Sequence, residues 1–234
     1  MLSGMRPLKR SSRRTALPPY RLSIIASLLL VPLAACERRA GCTGEYCGTL
    51  VIVTAGYPDL LLPPVTELAV ARYISDQIFL KLADIGLSTN TVGDEDFQPR
   101  LAERWEWDGP LTLVFHLDPG ARWQDGRPVT AADVAFTFDA YTDPKVNSPF
   151  RSVLQSIRTV TARDPQTAVF RFRQRYPEMF YDAVYHMWIL PAHLLHAIPR
   201  DQWQTAAFGR APVGSGPYRF VEWKAGEQIG RAHV

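Results

Sequence analysis

His193 and His196 stand three residues apart in Pro191-Ala192-His193-Leu194-Leu195-His196. On a helix that spacing turns both imidazoles to one side, as a metal site requires. A structural zinc takes four ligands, and no third one stands within this short stretch, so the alternative is two ordinary helical residues. Ser215 sits in Gly214-Ser215-Gly216. A nucleophile elbow needs G-x-S-x-G between a strand and a helix, whereas this loop leads into a strand. With no Ser/His/Asp set in view, an envelope hydrolase is the weaker, different-class alternative, and the expectation is no catalytic residue, no cofactor and no metal. His116 alternates outward on a strand whose other face is apolar, and His186 follows Tyr181 and Tyr185 as a packing residue. The tryptophans 105, 107, 123, 188, 203 and 223 have two readings, stacking on a sugar or filling a core.

The three cysteines lie early, at positions 36, 42 and 47. Cys36 closes Leu33-Ala34-Ala35-Cys36, which follows a basic stretch and the apolar run Leu22 to Ala34. The run is short for a membrane span, and the layout is that of a secretory signal. Its end resembles the bacterial lipobox, which implies cleavage before Cys36, acylation there and a membrane anchor. A plain signal peptide or an uncleaved anchor is the alternative. Ser12-Arg13-Arg14 is an incomplete twin-arginine motif, so the general secretory route is expected. Cys42 and Cys47 remain as an even pair in an oxidising compartment, with four residues between them. A disulfide, a zinc pair lacking its other ligands, and two free thiols are the three readings.

The formal net charge of +3 comes from this leader. Six basic residues and no acidic one precede position 36, leaving 20 basic against 23 acidic residues. Composition therefore gives no support to a nucleic-acid partner.

The elements that must position these groups read as mixed α/β with antiparallel hairpins. Residues 36–48 form a tether. Thr49 to Thr54 is a β-branched run suited to a central strand. Val65 to Leu82 reads as a helix, with Val70, Ile74, Ile78 and Leu82 in one stripe. Glu103 to Trp107 and Leu111 to Leu117 make a hairpin about Asp108-Gly109-Pro110. Thr130 to Asp133 is a capping-box start for a helix carrying Val134, Phe138 and Tyr141. Ile157 to Arg163 and Ala168 to Arg173 form a second hairpin. Pro177 to Met187 and Ala192 to Ile198 are short helices. Tyr218 to Trp223 is a strand entered through Gly214 to Pro217.

In order, LVIVTAGYPD (50–59), QPRLAERWEW (98–107), LVFHLDPGARWQDGRPVTAADVAFTFDAYTDP (113–144), ILPAHLL (189–195) and APVGSGPYRFVEWKAGE (211–227) resemble the family 5 extracellular solute-binding proteins. These are the peptide/nickel-binding subunits of ABC importers. Gln124 stands where members carry His or Asn, Ser215 where they carry Thr, and Ala211 where they carry Asn. The resemblance implies a two-lobed, type II periplasmic-binding-protein-like fold, of which this length holds only the N-terminal portion. It implies a periplasmic, lipid-anchored substrate-binding protein that captures di- or oligopeptides for a permease with its ATPase. Nickel, haem or oligosaccharide ligands, and a sensor or chaperone without transport, are the alternatives. It gives His193 no metal role. It places Tyr57, Pro58, Asp59 and Leu60 at the cleft, with Asp59 facing a ligand amine or capping its own turn. It also places Gly214, Ser215 and Gly216 near the lobe crossing, with free amides for a ligand or as a structural turn.

The division expected is a lipoprotein signal peptide over 1–35, the tether over 36–48, a partial family 5 domain over 49–228 and a tail over 229–234. Ile229 to Val234 shows no strand pattern. It can be encoded by ATC GGA AGA GCA CAC GTC, which resembles the start of a common short-read sequencing adapter, so it is expected to be non-native.

Overall fold

A computed structural model of the chain describes residues 52–54, 56–224 and 228–233. The chain divides into two units, Met1–Ile52 and Val53–Val234. Of the first, Ile52 alone is among the described residues.

The centre of the second unit is a four-stranded antiparallel sheet in the order β3-β4-β6-β5, built from β3 (Ala102–Trp107), β4 (Thr112–Leu117), β5 (Ile157–Asp164) and β6 (Thr167–Phe172). The two hairpins predicted from turn residues are its outer pairs, and β4 against β6 joins them. In β4, Leu113, Val114 and Phe115 are all buried, as are Thr167 to Phe170 in β6. A central strand loses water on both faces, so Val114 is covered as fully as its neighbours. In the edge strands β3 and β5 most residues are exposed, and only Ala102, Ile157 and Val160 are buried. On one face Phe115 meets Phe170 at 5.2 Å and Phe180 at 5.6 Å, while Phe180 meets Trp105 at 4.9 Å and Phe97 at 4.7 Å. One oxygen of Asp94, Oδ2, accepts the indole N–H of both Trp105 and Trp107, each at 3.1 Å.

Helix α1 spans Ala69–Ile78, shorter at both ends than the stripe predicts. Residues 63–65 form a turn instead. At the other end the Ile78 carbonyl accepts Gly216 N–H at 2.7 Å, and Phe79 turns extended. Leu82 is buried, but beyond the helix, where its carbonyl accepts Arg100 N–H and Ala102 N–H. The short pair β1 (Ala83–Asp84) and β2 (Gln98–Pro99) follows.

Helix α2 (Ala131–Thr142) starts at the predicted capping box: Asp133 Oδ2 accepts Thr130 N–H at 2.9 Å. The other oxygen of Asp133 accepts Ala192 N–H at 3.0 Å, so one carboxylate fixes two elements. Thr137 Oγ1 accepts Leu190 N–H and Tyr141 Oη accepts Trp188 N–H, which ties the 187–190 segment to this helix. The helices α3 (Arg151–Leu154), α4 (Met179–Tyr185) and α5 (Ala192–Leu195) are short, and two 3₁₀ turns cover Arg200–Thr205 and Ala207–Arg210.

Two expectations fail. Residues 52–54 are exposed and form no strand, because a β-branched run holds strand form only against a ladder partner, and none pairs with it among the described residues; Thr49 to Val51 lie outside them. Conversely, β8 (Gln228–His233) is a strand, antiparallel to β7 (Tyr218–Lys224), with Tyr218 opposite His233 and Lys224 opposite Gln228. Side-chain alternation gives no sign of β8. Ladder bonds are made by the main chain, and the well-patterned β7 supplies the template.

Candidate functional site

The loop from Val213 to Pro217 crosses the end of α1 with no room to spare. A Cβ on Gly214 would lie 1.8 Å from the Ile78 carbonyl oxygen, and one on Gly216 would lie 2.6 Å from that of Gln77. Only glycine lets the backbones approach this closely. Of the two readings of this loop, the bonds of Gly214 and Gly216 favour the structural turn, since both amides are used within the protein. Gly216 N–H goes to Ile78, and Gly214 N–H goes to Gln124 Oε1 at 3.1 Å. Gln124 N–H returns to the Gly214 carbonyl at 2.9 Å, while its Nε2 donates to the carbonyls of Gly216 (3.1 Å) and Tyr218 (2.9 Å). Ser215 Oγ accepts Leu80 N–H at 3.3 Å, a bond that anchors the loop beyond the end of α1. Gly214, Ser215 and Gly216 thus form a strap stitched to α1 on one side and to Gln124 on the other.

Beside the strap lies a groove of about 370 Å³, lined by Asp76, Gln77, Lys81, Asp84, Arg100 and Pro217 among others. Ser215 and Gly216 wall the adjoining depression. The charged groups come in pairs: Arg100 Nε lies 2.5 Å from Asp84 Oδ2, and Lys81 Nζ lies 3.3 Å from Asp76 Oδ1. Lys81 is only 9% exposed, yet its ammonium has unusual cover. It sits 4.5 Å from the Tyr185 ring centre and 4.4 Å from that of Trp188. Ring faces attract a cation, and Asp76, which also accepts the Trp188 indole N–H at 2.7 Å, fixes the box. The apolar stripe of Val70, Ile74, Ile78 and Leu82 leaves Lys81 and Asp76 off its face. The partners that enclose Lys81 lie about a hundred residues further on, and no local signal announces them.

The 57–60 segment is divided. Asp59 Oδ1 accepts Leu60 N–H at 2.8 Å and the Thr66 hydroxyl at 2.6 Å, so that oxygen caps its own turn. Leu60 is buried in the core, which removes its side chain from any open cleft wall. Tyr57 is exposed and Pro58 half-buried. Cys36, Cys42 and Cys47 lie outside the described residues.

The histidines have other partners. His193 Nε2 lies 2.7 Å from Asp125 Oδ2, with the ring near Trp123. Burial alone would raise the Asp125 carboxyl; the His193 bond, the Arg127 N–H and the nearby cationic charge outweigh it and hold that carboxyl below its usual range. His196 Nδ1 sits 3.1 Å from the Ala192 carbonyl. His116, placed in solvent by its alternation, is half-buried and bonds Glu106 across the strands at 3.1 Å. His186 packs among Phe150, Tyr181 and Tyr185. Of the tryptophans, Trp123, Trp188 and Trp203 are core. Trp223 lies under the Arg210 guanidinium at 4.2 Å.

Residues 96–230 match the family model of the bacterial extracellular solute-binding proteins, family 5 Middle. The chain belongs to this family.

This family 5 chain is 32% identical over 218 residues to Protein XP55 of Streptomyces lividans, covering 91% of the chain and 38% of the relative. It is 26% identical over 230 residues to the oligopeptide-binding protein AppA of Bacillus subtilis, covering 93% of the chain and 40% of AppA. The solved structure of that AppA, in complex with a nonapeptide, shares its fold at a TM-score of 0.68 over 76% of the chain and 34% of AppA, at 23% identity. The ABC transporter substrate-binding protein CtaP of Listeria monocytogenes gives 0.65 over 77% of the chain and 36% of CtaP, at 27% identity. These neighbours are two-lobed periplasmic binding proteins, and the family 5 chain has the mixed α/β architecture of part of one. AppA and CtaP are named as binding proteins rather than enzymes. The chain spans about a fifth to two fifths of the curated relatives it matches.

Proposed function

We propose that this family 5 chain serves as the substrate-binding component of an ABC importer. It captures di- or oligopeptides outside the cytoplasmic membrane and delivers them to a permease driven by its ATPase. The observation that carries the reading is the likeness to an oligopeptide-binding protein over 93% of the chain. The groove beside the strap supports it, since the partly exposed Arg100–Asp84 pair in its wall presents both signs of charge to a ligand with an amine and a carboxylate. Titration calorimetry of the purified protein against a dipeptide, a nonapeptide, Ni²⁺ alone and an oligosaccharide tests it. Saturable peptide binding is expected. Silence with the peptides and binding of either other ligand overturns it.

The same proposal anchors the protein through acylated Cys36, behind a signal peptide over 1–35 and a tether over 36–48. Radiolabelled palmitate should mark the wild type and leave Cys36→Ser unlabelled. Equal labelling of the two would remove the anchor from the proposal and leave peptide capture to its own test.

A further inference from the structure

Six arginines, Arg151, Arg158, Arg163, Arg171, Arg173 and Arg175, fall within 25 residues that hold a single acidic residue, Asp164. Beyond the leader the remaining residues carry 14 basic and 22 acidic side chains, so the charge is strongly separated. The fold gathers the six. Arg158 and Arg163 lie on β5, the edge strand of the sheet, and Arg171 lies on β6 opposite Thr159. Arg173 and Arg175 follow β6, with Arg173 N–H bonded to Ser156 O at the foot of β5, and Arg151 comes from the short helix before β5.

All six are exposed. Among the described residues none has a carboxylate within ion-pair distance, although Lys81, Arg100 and Lys224 each have one. The bonds these arginines make go to neutral oxygens: Arg151 Nε to Thr142 O, Arg171 Nη1 to Thr161 Oγ1, and Arg173 Nε to Gln155 O. Such bonds steady the side chains and leave the guanidinium charge uncompensated. Arg72, Arg200 and Arg210, by contrast, lie over aromatic rings.

We propose that this arginine edge docks on an anionic phospholipid surface. A guanidinium fork matches paired phosphate oxygens, and arginines gathered at one edge of the sheet can engage several headgroups of a flat anionic surface together. The choice of a bilayer rests on the proposed Cys36 anchor, which would hold the edge beside one. A lipid chain and a basic patch together form the two-signal attachment that a single weak signal cannot supply. The edge would then fix which side of the tethered domain faces the membrane.

The test uses the mature chain, from position 36 onward and carrying Cys36→Ser, so that neither an acyl group nor the basic leader contributes. It is sedimented with phosphatidylcholine vesicles with and without about 40% phosphatidylglycerol, at roughly 50 mM and roughly 300 mM salt. At the lower salt the anionic vesicles should bind about tenfold or more tightly than neutral ones, and the higher salt should abolish the difference. The variant R158E/R171E/R173E should lose that preference while its circular dichroism and melting temperature stay those of the parent. R104E/R219E, which reverses exposed arginines elsewhere, should keep it. Equal binding to both vesicle types, preference surviving in the triple variant, or equal loss in the control variant overturns the proposal. So does stronger binding to duplex DNA than to anionic vesicles. Peptide titration and palmitate labelling are independent of these outcomes.

Discussion

Gln124 and Gly214 are bonded to each other in both directions, Gln124 N–H to Gly214 O at 2.9 Å and Gly214 N–H to Gln124 Oε1 at 3.1 Å. With the two further bonds from Nε2, the Gln124 side chain holds one amide and two carbonyls of the 214–218 stretch.

Gln124→Ala should therefore destabilise the protein by about 2–3 kcal/mol, since partly buried groups of the strap lose their partners. Gln124→Glu keeps the acceptor for Gly214 but turns a carboxylate oxygen on the Gly216 and Tyr218 carbonyls, so it should cost at least as much as alanine. Urea unfolding measures both. Amide exchange should show Gly214 opening faster in the alanine variant, and unchanged exchange there would contradict the clamp.

Gly214→Ala and Gly216→Ala should each cost about 3 kcal/mol or more, because the new methyl meets a backbone carbonyl that cannot swing aside. Gly56→Ala, with open space around its Cβ, should stay within about 0.5 kcal/mol of wild type. Thermal unfolding of the three side by side decides the matter.

Asp76→Ala should cost about 2–4 kcal/mol, for it leaves the buried Lys81 ammonium without a carboxylate and the Trp188 indole N–H without an acceptor. Lys81→Met keeps the stem and removes the charge, so it should lie within about 1 kcal/mol of wild type. Lys81→Met introduced into Asp76→Ala should restore part of the loss. Additive losses in the cycle would show that the two residues do not act together.

Asp125 sets an acid limb. Its folded carboxyl lies below the usual range, so the stabilisation it provides is complete above the ordinary aspartate value and fades as pH falls through the lowered one. Asp125→Asn lacks this contribution. The gap in melting temperature between wild type and variant should be open at about pH 7 and narrow towards about pH 3. A gap of constant width would refute the assignment.

Much of the fold was legible because its signals are local. Asp108-Gly109 and Asp125-Gly126 announce turns whose glycines adopt φ of +80° and +90°, and Thr130 with Asp133 announces a helix start. The family followed from the ordered segments. The strap's role was not legible: Gln124 lies 90 residues from Gly214, and nothing in Gly-Ser-Gly tells a ligand loop from a docked one. The same distance hid the burial of Lys81. Helix α1 ended early for a related reason, because a remote N–H took the Ile78 carbonyl. Asp59 illustrates a different limit, since a carboxylate beside a turn serves a ligand or its own backbone equally well until Thr66 is seen against it.

The shared oxygen of Asp94 gives the protein an optical reporter. Two of the six indoles lean on one carboxylate carried by the loop before β2, not by the sheet that holds the rings. Indole emission depends on the polar groups around it, so lifting that loop would alter the fluorescence of both rings together. A change confined to a few surface residues would thus be visible as a spectral shift, with the strands beneath still paired.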